Sequence, residues 1–324
     1  MPHAIRLARH GGPEVLTYEE VDLDPPGPGE VRLAQTAIGL NYIDTYHRTG
    51  LYPVDLPHGI GLEAAGVVEA VGEGVSNLKE GDRVAYGVGP IGAYATHRNI
   101  PAARVGKLPD DVGDETAAAM MLKGMTVRYL IRETYEVQPG DTVLWQAAAG
   151  GVGLIACQWL AAIGVTVIGT AGGAEKCALA KEHGAAHVID YSSEDVAERV
   201  REITKGAGVP VVYDGVGAAT VDASLASLRP RGLFVSFGNA SGPVKDFDLG
   251  RLSASGSLYV TRPTLMDYTK ADEALAANMA DLFRIVGSGK VKVPVNQRWP
   301  LAEAEAAHRA LEARETTGST VLTV

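Results

Sequence analysis

Between Asp141 and Glu175 the chain carries no charged residue. The stretch reads Thr142-Val-Leu-Trp-Gln146, Ala147-Ala-Ala-Gly150-Gly-Val-Gly153, Leu154-Ile-Ala-Cys-Gln-Trp-Leu-Ala-Ala-Ile163 and Gly164-Val-Thr-Val-Ile-Gly-Thr170. Roughly 20 apolar residues suffice to span a bilayer, so length alone would admit a membrane segment. The glycines argue against it, because they divide the run into a short β-branched piece, a turn, a helix-compatible piece and a second β-branched piece. Strands covered on both faces read as continuous apolar runs, which is the pattern of a parallel βαβ unit.

Gly150, Gly151, Val152 and Gly153 stand where the first strand turns into the helix. Side chains there would hold the backbone away from a pyrophosphate, and free N–H groups at a helix start favour an anion. The spacing Ala147-x-x-Gly150-x-x-Gly153 departs from G-x-G-x-x-G by having alanine first. A tight turn between packed elements would also use glycines, but strand, helix and second strand in order are the context that the dinucleotide motif requires. An NAD-specific site needs an acid about 20 residues after the glycines, at the end of the second strand. Here Val165–Thr170 runs into Ala171-Gly-Gly-Ala174, and Glu175 and Lys176 come first among the charges. A lysine suits a 2′-phosphate, so the expected cofactor is NADPH.

A net charge of −10 disfavours a nucleic-acid partner or an anionic membrane surface. Cys157 and Cys177 fall in predicted helices, cannot form a disulfide framework, and fit packing in a reducing cytoplasm. The first ten residues lack the apolar core of a signal peptide. Before the glycine loop the chain has short β-type runs, Val31–Leu33, Ala65–Ala70 and Arg83–Ala85, as in a partly antiparallel, barrel-like domain. A helix is predicted from Asp114 to Tyr135. Strands at Ala186–Ile189, Val209–Tyr213 and Leu233–Phe237 alternate with helices at Glu175–His183, Ser193–Thr204 and Ala219–Leu228. Leu265–Gly287 reads as one helix, and Arg298–Ala313 as an amphipathic helix before a strand at Ser319–Val324.

The residues His10–Leu16, Gly39-Leu-Asn-Tyr-Ile-Asp-Thr-Tyr46, Gly50-Leu-Tyr-Pro53, Ala147–Gly153, Val235-Ser-Phe-Gly-Asn239 and Gly256–Pro263 resemble the NADPH:quinone oxidoreductase (zeta-crystallin-like) branch of the zinc-free medium-chain dehydrogenase/reductase superfamily. The resemblance covers essentially the whole chain. It implies an α/β protein with a GroES-like β-rich catalytic domain, residues 1–123 and 264–324, and a Rossmann domain with a doubly wound parallel sheet, residues 124–263. It also implies reduction of a small-molecule quinone by NADPH. Zinc relatives carry cysteine where this chain has Asn41, and a His-Glu pair where it has Leu62-Glu63. A catalytic zinc needs three protein ligands, and the eight scattered histidines form no helical H-x-x-x-H pair, so no metal is expected.

Without a metal, the cofactor carries the hydride and the protein supplies binding and electrostatics. Asn41, Tyr46 and Tyr52 lie in motifs that resemble the family's active site and could donate to a developing oxyanion, Asn41 also touching the cofactor. Tyr52, in a Leu-Tyr-Pro turn, fits loop packing equally well. The resemblance further implies nicotinamide-side contacts from Lys123, Thr126 and Tyr129, and adenosine-side contacts from Gly172, Lys176 and Tyr191. It places Phe237, Gly238, Asn239 and Ser241 over the nicotinamide and Arg314 as a late phosphate contact. Lys176 and Arg314 could also be ordinary solvated charges. Gly215 stands where the family often has serine. Ser257–Thr261, β-prone, uncharged and last in the βα series, is the expected sheet edge for a homodimer. Reduction of an enal or enone C=C bond is an alternative on the same fold, and a crystallin or RNA-binding role is a non-enzymatic one.

Overall fold

The computed structural model describes residues 1–324. The chain divides into two compact units. The first comprises Met1–Met125, Thr269–Ser288 and Val293–Val324, and the second Thr126–Tyr268 and Gly289–Lys292.

The first unit is built on a seven-stranded sheet. Its order is Val295–Pro300, Ser319–Thr323, Glu30–Leu40, Glu63–Val71, Arg83–Tyr86 and Gly106–Lys107, with His97–Pro101 also paired to Glu30–Leu40. Along Glu30–Leu40 buried Val31, Leu33 and Gln35 alternate with half-exposed neighbours, the two-residue period of a strand with one covered face. A three-stranded antiparallel sheet joins Leu16–Glu20, His3–Leu7 and His58–Gly59. Ile5, Leu7, Leu33, Ile38, Ile60, Tyr86 and Leu322 meet in the core.

The second unit is an all-parallel six-stranded sheet. Its order is His187–Asp190, Thr166–Ala171, Thr142–Trp145, Val209–Asp214, Leu228–Ser236 and Tyr259–Thr261. Counted from Thr142 this is 3-2-1-4-5-6, the doubly wound order in which ligands bind outside the strand C-termini where the order reverses. The uncharged run forms the first strand, the helix Gly151–Ala162 and the second strand. No helix is long and apolar enough to cross a membrane. Tyr259–Thr261 is a sheet edge, as the sequence suggests.

Two helix expectations need correction. Arg298–Ala313 is not one helix: Val295–Pro300 is a strand, and the helix is only Ala304–Glu312. Pro300 lacks an N–H and pushes Trp299 out of the helical region, so the helix begins only after a single turn at Leu301–Glu303. Leu265–Gly287 breaks into Leu265–Tyr268 and Asp272–Gly287. The carbonyls of Thr269 and Lys270 accept instead from the Arg104 guanidinium, at 2.9 and 3.0 Å. The helix Asp114–Tyr129 continues to Thr134, its last turn widened to π geometry.

Candidate functional site

The glycine loop shows which of its residues packing demands. A Cβ on Gly153 would lie 2.5 Å from the Ala147 carbonyl oxygen and 2.6 Å from that of Ala148, so only glycine lets the helix seat so close to the strand. Gly150 differs. Its φ of −78° is ordinary, and a Cβ there would meet only the Ala147 oxygen at 3.4 Å, an ordinary contact. Ala147, where the motif has its first glycine, takes the left-handed conformation with φ 55°. That conformation costs an L-residue about 1–2 kcal/mol.

A hydrogen-bond chain braces this loop from below. Thr170 Oγ1 accepts from the Ala147 N–H and donates to Gln146 Oε1 at 2.7 Å, and Gln146 Nε2 donates to Ser224 Oγ at 3.0 Å. The Ser224 and Thr220 hydroxyls both donate to Asp214 Oδ2 at 2.7 Å, while Oδ1 accepts the N–H groups of Val216 and Gly217. The buried Asp214 carboxylate is thus fully satisfied, and it ties the loop after Val209–Asp214 to the glycine turn. Sequence reasoning passed over Gln146, Thr170, Asp214 and Ser224, although polar residues at the ends of apolar strands are a readable signal.

At the end of the second strand, a Cβ on Gly172 would meet the Tyr191 ring and hydroxyl at 2.6–2.9 Å, so Tyr191 lies over that glycine, half exposed. Lys176 sits half-buried in the first turn of the helix Ala174–Glu182. Asp190 Oδ1 accepts from the Gly173 N–H at 2.9 Å and from the Ser192 amide and hydroxyl. Those bonds, the Ser192 hydroxyl foremost, hold its carboxyl below the usual carboxylate range. Phe237 packs on Trp145 at 5.7 Å, and a Cβ on Gly215 would meet its ring at 2.9 Å. Serine at position 215 would therefore force Phe237 to move. Gly238 is bare backbone against Gly215, and Ser241 donates to the Val216 carbonyl at 2.9 Å while accepting from the Ala219 N–H. The loops carrying Gly215 and Gly238–Asn239 are thereby interlocked. Thr126 is half-buried, and Tyr129 is buried with its ring stacked on Tyr268 at 4.4 Å.

In the first unit, Asn41 caps the helix Tyr42–Thr49 and Gly50 ends it in the left-handed conformation. Tyr46 and Tyr52 are brought together: their rings stand edge to face at 5.2 Å, and the Tyr52 N–H donates to the Tyr46 carbonyl. His47 stands 6.1 Å from Tyr52, and burial, aided by nearby His58, pushes its pKa down to about 4. Arg314 is exposed, with φ 61°.

Asn41 is held by two buried carboxylates. Its Nδ2 donates to Glu63 Oε1 at 2.8 Å, which also pairs with Lys123 Nζ at 2.7 Å, and its backbone N–H donates to Asp44 Oδ2 at 2.8 Å. Asp44 Oδ2 also accepts the Tyr94 hydroxyl at 2.9 Å, and Tyr94 is 3.1 Å from His308 Nε2. Arg48 donates to His308 Nδ1 at 2.9 Å and forms a two-pronged pair with Glu312. Arg48 therefore fixes His308 as the Nε2–H tautomer, which leaves the Tyr94 proton to point at Asp44. Burial raises Asp44 to about 7, and burial beside Arg48 lowers His308 to about 3. Nowhere do three His, Cys, Asp or Glu side chains gather to hold a metal ion.

A GroES-like sheet unit with a doubly wound nucleotide unit is the architecture of the medium-chain dehydrogenase/reductases. Residues 27–110 match the alcohol dehydrogenase GroES-like domain model, and residues 151–278 the zinc-binding dehydrogenase model. Quinone oxidoreductase of Pseudomonas aeruginosa is 55% identical over 323 residues, covering 99% of each chain. The Escherichia coli quinone oxidoreductase structure, complexed with NADPH, superposes with a TM-score of 0.98 at 49% identity, over 99% of this chain and 100% of that one. A 2-haloacrylate reductase of a Burkholderia species is 44% identical over 331 residues, again covering 99% of each chain. The chain belongs to the quinone oxidoreductase family of this superfamily.

Proposed function

We propose that the protein is an NADPH-dependent quinone oxidoreductase, carrying the overall reaction quinone + NADPH + H⁺ → hydroquinone + NADP⁺. The observation that carries the reading is Gly150. Nothing within the chain requires a glycine there, yet it stands at the start of the helix Gly151–Ala162, at the switch point of the sheet. A missing side chain with no internal reason fits a backbone approached by a pyrophosphate. Gly151, Val152 and Gly153 complete that cradle, and Gly172, Lys176 and Tyr191 are assigned to the adenosine 2′-phosphate side. Lys123, Thr126, Tyr129, Phe237, Gly238, Asn239, Ser241 and Arg314 complete the cofactor set. When bound, NADPH supplies the hydride. The second N–H of Asn41 and the hydroxyls of Tyr46 and Tyr52 stabilise oxyanion charge on the acceptor, and the tyrosine faces receive its flat ring. Residues 1–123 and 264–324 serve catalysis, and residues 124–263 hold the cofactor.

The relative named for haloacrylate reduction supports a second reading, reduction of an activated C=C bond. A steady-state screen of quinones and enals with NADPH and NADH separates the two. Quinone turnover with NADPH is the expected result; turnover of enals alone would replace this reading, and no turnover of either would favour a non-enzymatic role. We also assign the protein to the cytoplasm, as a homodimer through Tyr259–Thr261. On that edge strand Tyr259 and Val260 are 62% and 41% exposed, and bare apolar edges are normally covered.

A further inference from the structure

Glu63 opens the strand Glu63–Val71 with its side chain completely out of solvent. Three donors converge on it: Asn41 Nδ2 at 2.8 Å and Lys123 Nζ at 2.7 Å on Oε1, and the Leu122 N–H at 2.7 Å on Oε2. Gly39 leaves the room, because a Cβ there would overlap both the carboxylate and the Ala118 carbonyl. Stability does not account for the arrangement. A buried ion pair is at best about neutral against apolar side chains of the same volume. Its geometry, however, does something specific. An asparagine amide can be turned either way round, and a carboxylate accepts but never donates, so Glu63 compels the Asn41 amide to present its nitrogen on that side.

We propose that Glu63 is a positioning residue for the reduction: its carboxylate orients the Asn41 carboxamide so that the second N–H faces the acceptor oxygen, with Lys123 as the counter-charge. This rests on the assignment of Asn41 to the reacting centre made above. Lys123 keeps the carboxylate from standing as a lone buried charge, and the Leu122 amide anchors its second oxygen to the helix Asp114–Tyr129. Glutamine at position 63 would offer one acceptor oxygen to three donors and set its own NH2 against them, so the Asn41 amide loses its fixed orientation.

The test uses the full-length chain, NADPH and a simple benzoquinone, in a cycle of Glu63→Gln, Asn41→Ala and the double variant. Removing one oriented donor typically costs about 10²–10³ in kcat; a mis-aimed donor on a reactive quinone should cost about 10-fold or more. Glu63→Gln is expected to lower kcat, and to lower it no further when Asn41 is already alanine. Glu63→Asp keeps the charge but withdraws the oxygens by one methylene; it should fold and still lose kcat, which covers the case in which the glutamine variant does not fold. Wild-type kcat per folded molecule in Glu63→Asp or Glu63→Gln, alongside an impaired Asn41→Ala, overturns the positioning role alone. Independent, multiplying losses in the double variant also overturn it. An unimpaired Asn41→Ala removes the functional assignment of Asn41, and the proposal with it.

Discussion

Replacing Asp44 by asparagine should stabilise the protein in alkali and lose that advantage in acid. Asp44 is completely buried, and burial raises its carboxyl from 3.8 to about 7. The Asn41 N–H and Tyr94 hydroxyl bonds and Lys123 oppose that rise, and Glu63 adds to it. The folded chain therefore holds this proton more tightly than the unfolded one. Its contribution to stability is complete below pH 3.8 and is lost as pH climbs through about 7. At 1.36 kcal/mol per pH unit the whole loss is about 4 kcal/mol, of which about 3 falls between about pH 5 and about pH 8. Asparagine never ionises. Its carbonyl can take over the bonds of Oδ2, while its NH2 falls where Oδ1 has no partner, a constant cost of about 1–3 kcal/mol. His47 and His308, lowered to about 4 and about 3, favour folding less as pH falls below 6.5, but they act equally in both proteins and cancel from the difference. Urea unfolding of both proteins, followed by circular dichroism at about pH 5 and about pH 8, reads the difference directly. The Asp44→Asn advantage should rise by about 3 kcal/mol over that interval. A difference that stays constant, or grows in acid, would refute the view that Asp44 is held neutral by burial.

Lys176→Ala is expected to raise KM for NADPH severalfold and barely change that for NADH; equal effects in steady-state kinetics would remove Lys176 from the 2′-phosphate. Tyr46→Phe should lower kcat/KM for quinone about tenfold while leaving NADPH binding intact, the loss of one donor to a developing oxyanion; an unchanged value, with NADPH affinity measured by fluorescence titration, returns Tyr46 to packing against Tyr52. Val260→Lys, or proline at Tyr259, should shift the sedimentation coefficient toward monomer, and a wild-type chain already monomeric at micromolar concentration ends the dimer proposal. Leu258 is the wrong place for such a charge, because its side chain is buried in the core of the nucleotide unit.

The nucleotide unit was legible in the chain because its information is local. Ala147–Gly153, the β-branched strands on either side and the uncharged edge run each occupy a few consecutive residues, and backbone sterics act over that range. Arg298–Ala313 misled for the converse reason: its helical periodicity is real, but one proline hands its first residues to a strand paired with Ser319–Thr323. What no window of sequence contains is the polar interior of the first unit. Asn41 meets Glu63 across 22 residues and Glu63 meets Lys123 across 60, while Tyr94 reaches His308 across 214 and Arg48 reaches it across 260. In the sequence these are isolated polar and charged residues, each plausible on a solvated surface. Folding removes their water and leaves them only one another as partners, so their ionisation and orientation follow from tertiary contacts. Which residues are present, and the strand-turn-helix that seats a cofactor, are properties of the chain; which proton sits where is a property of the fold.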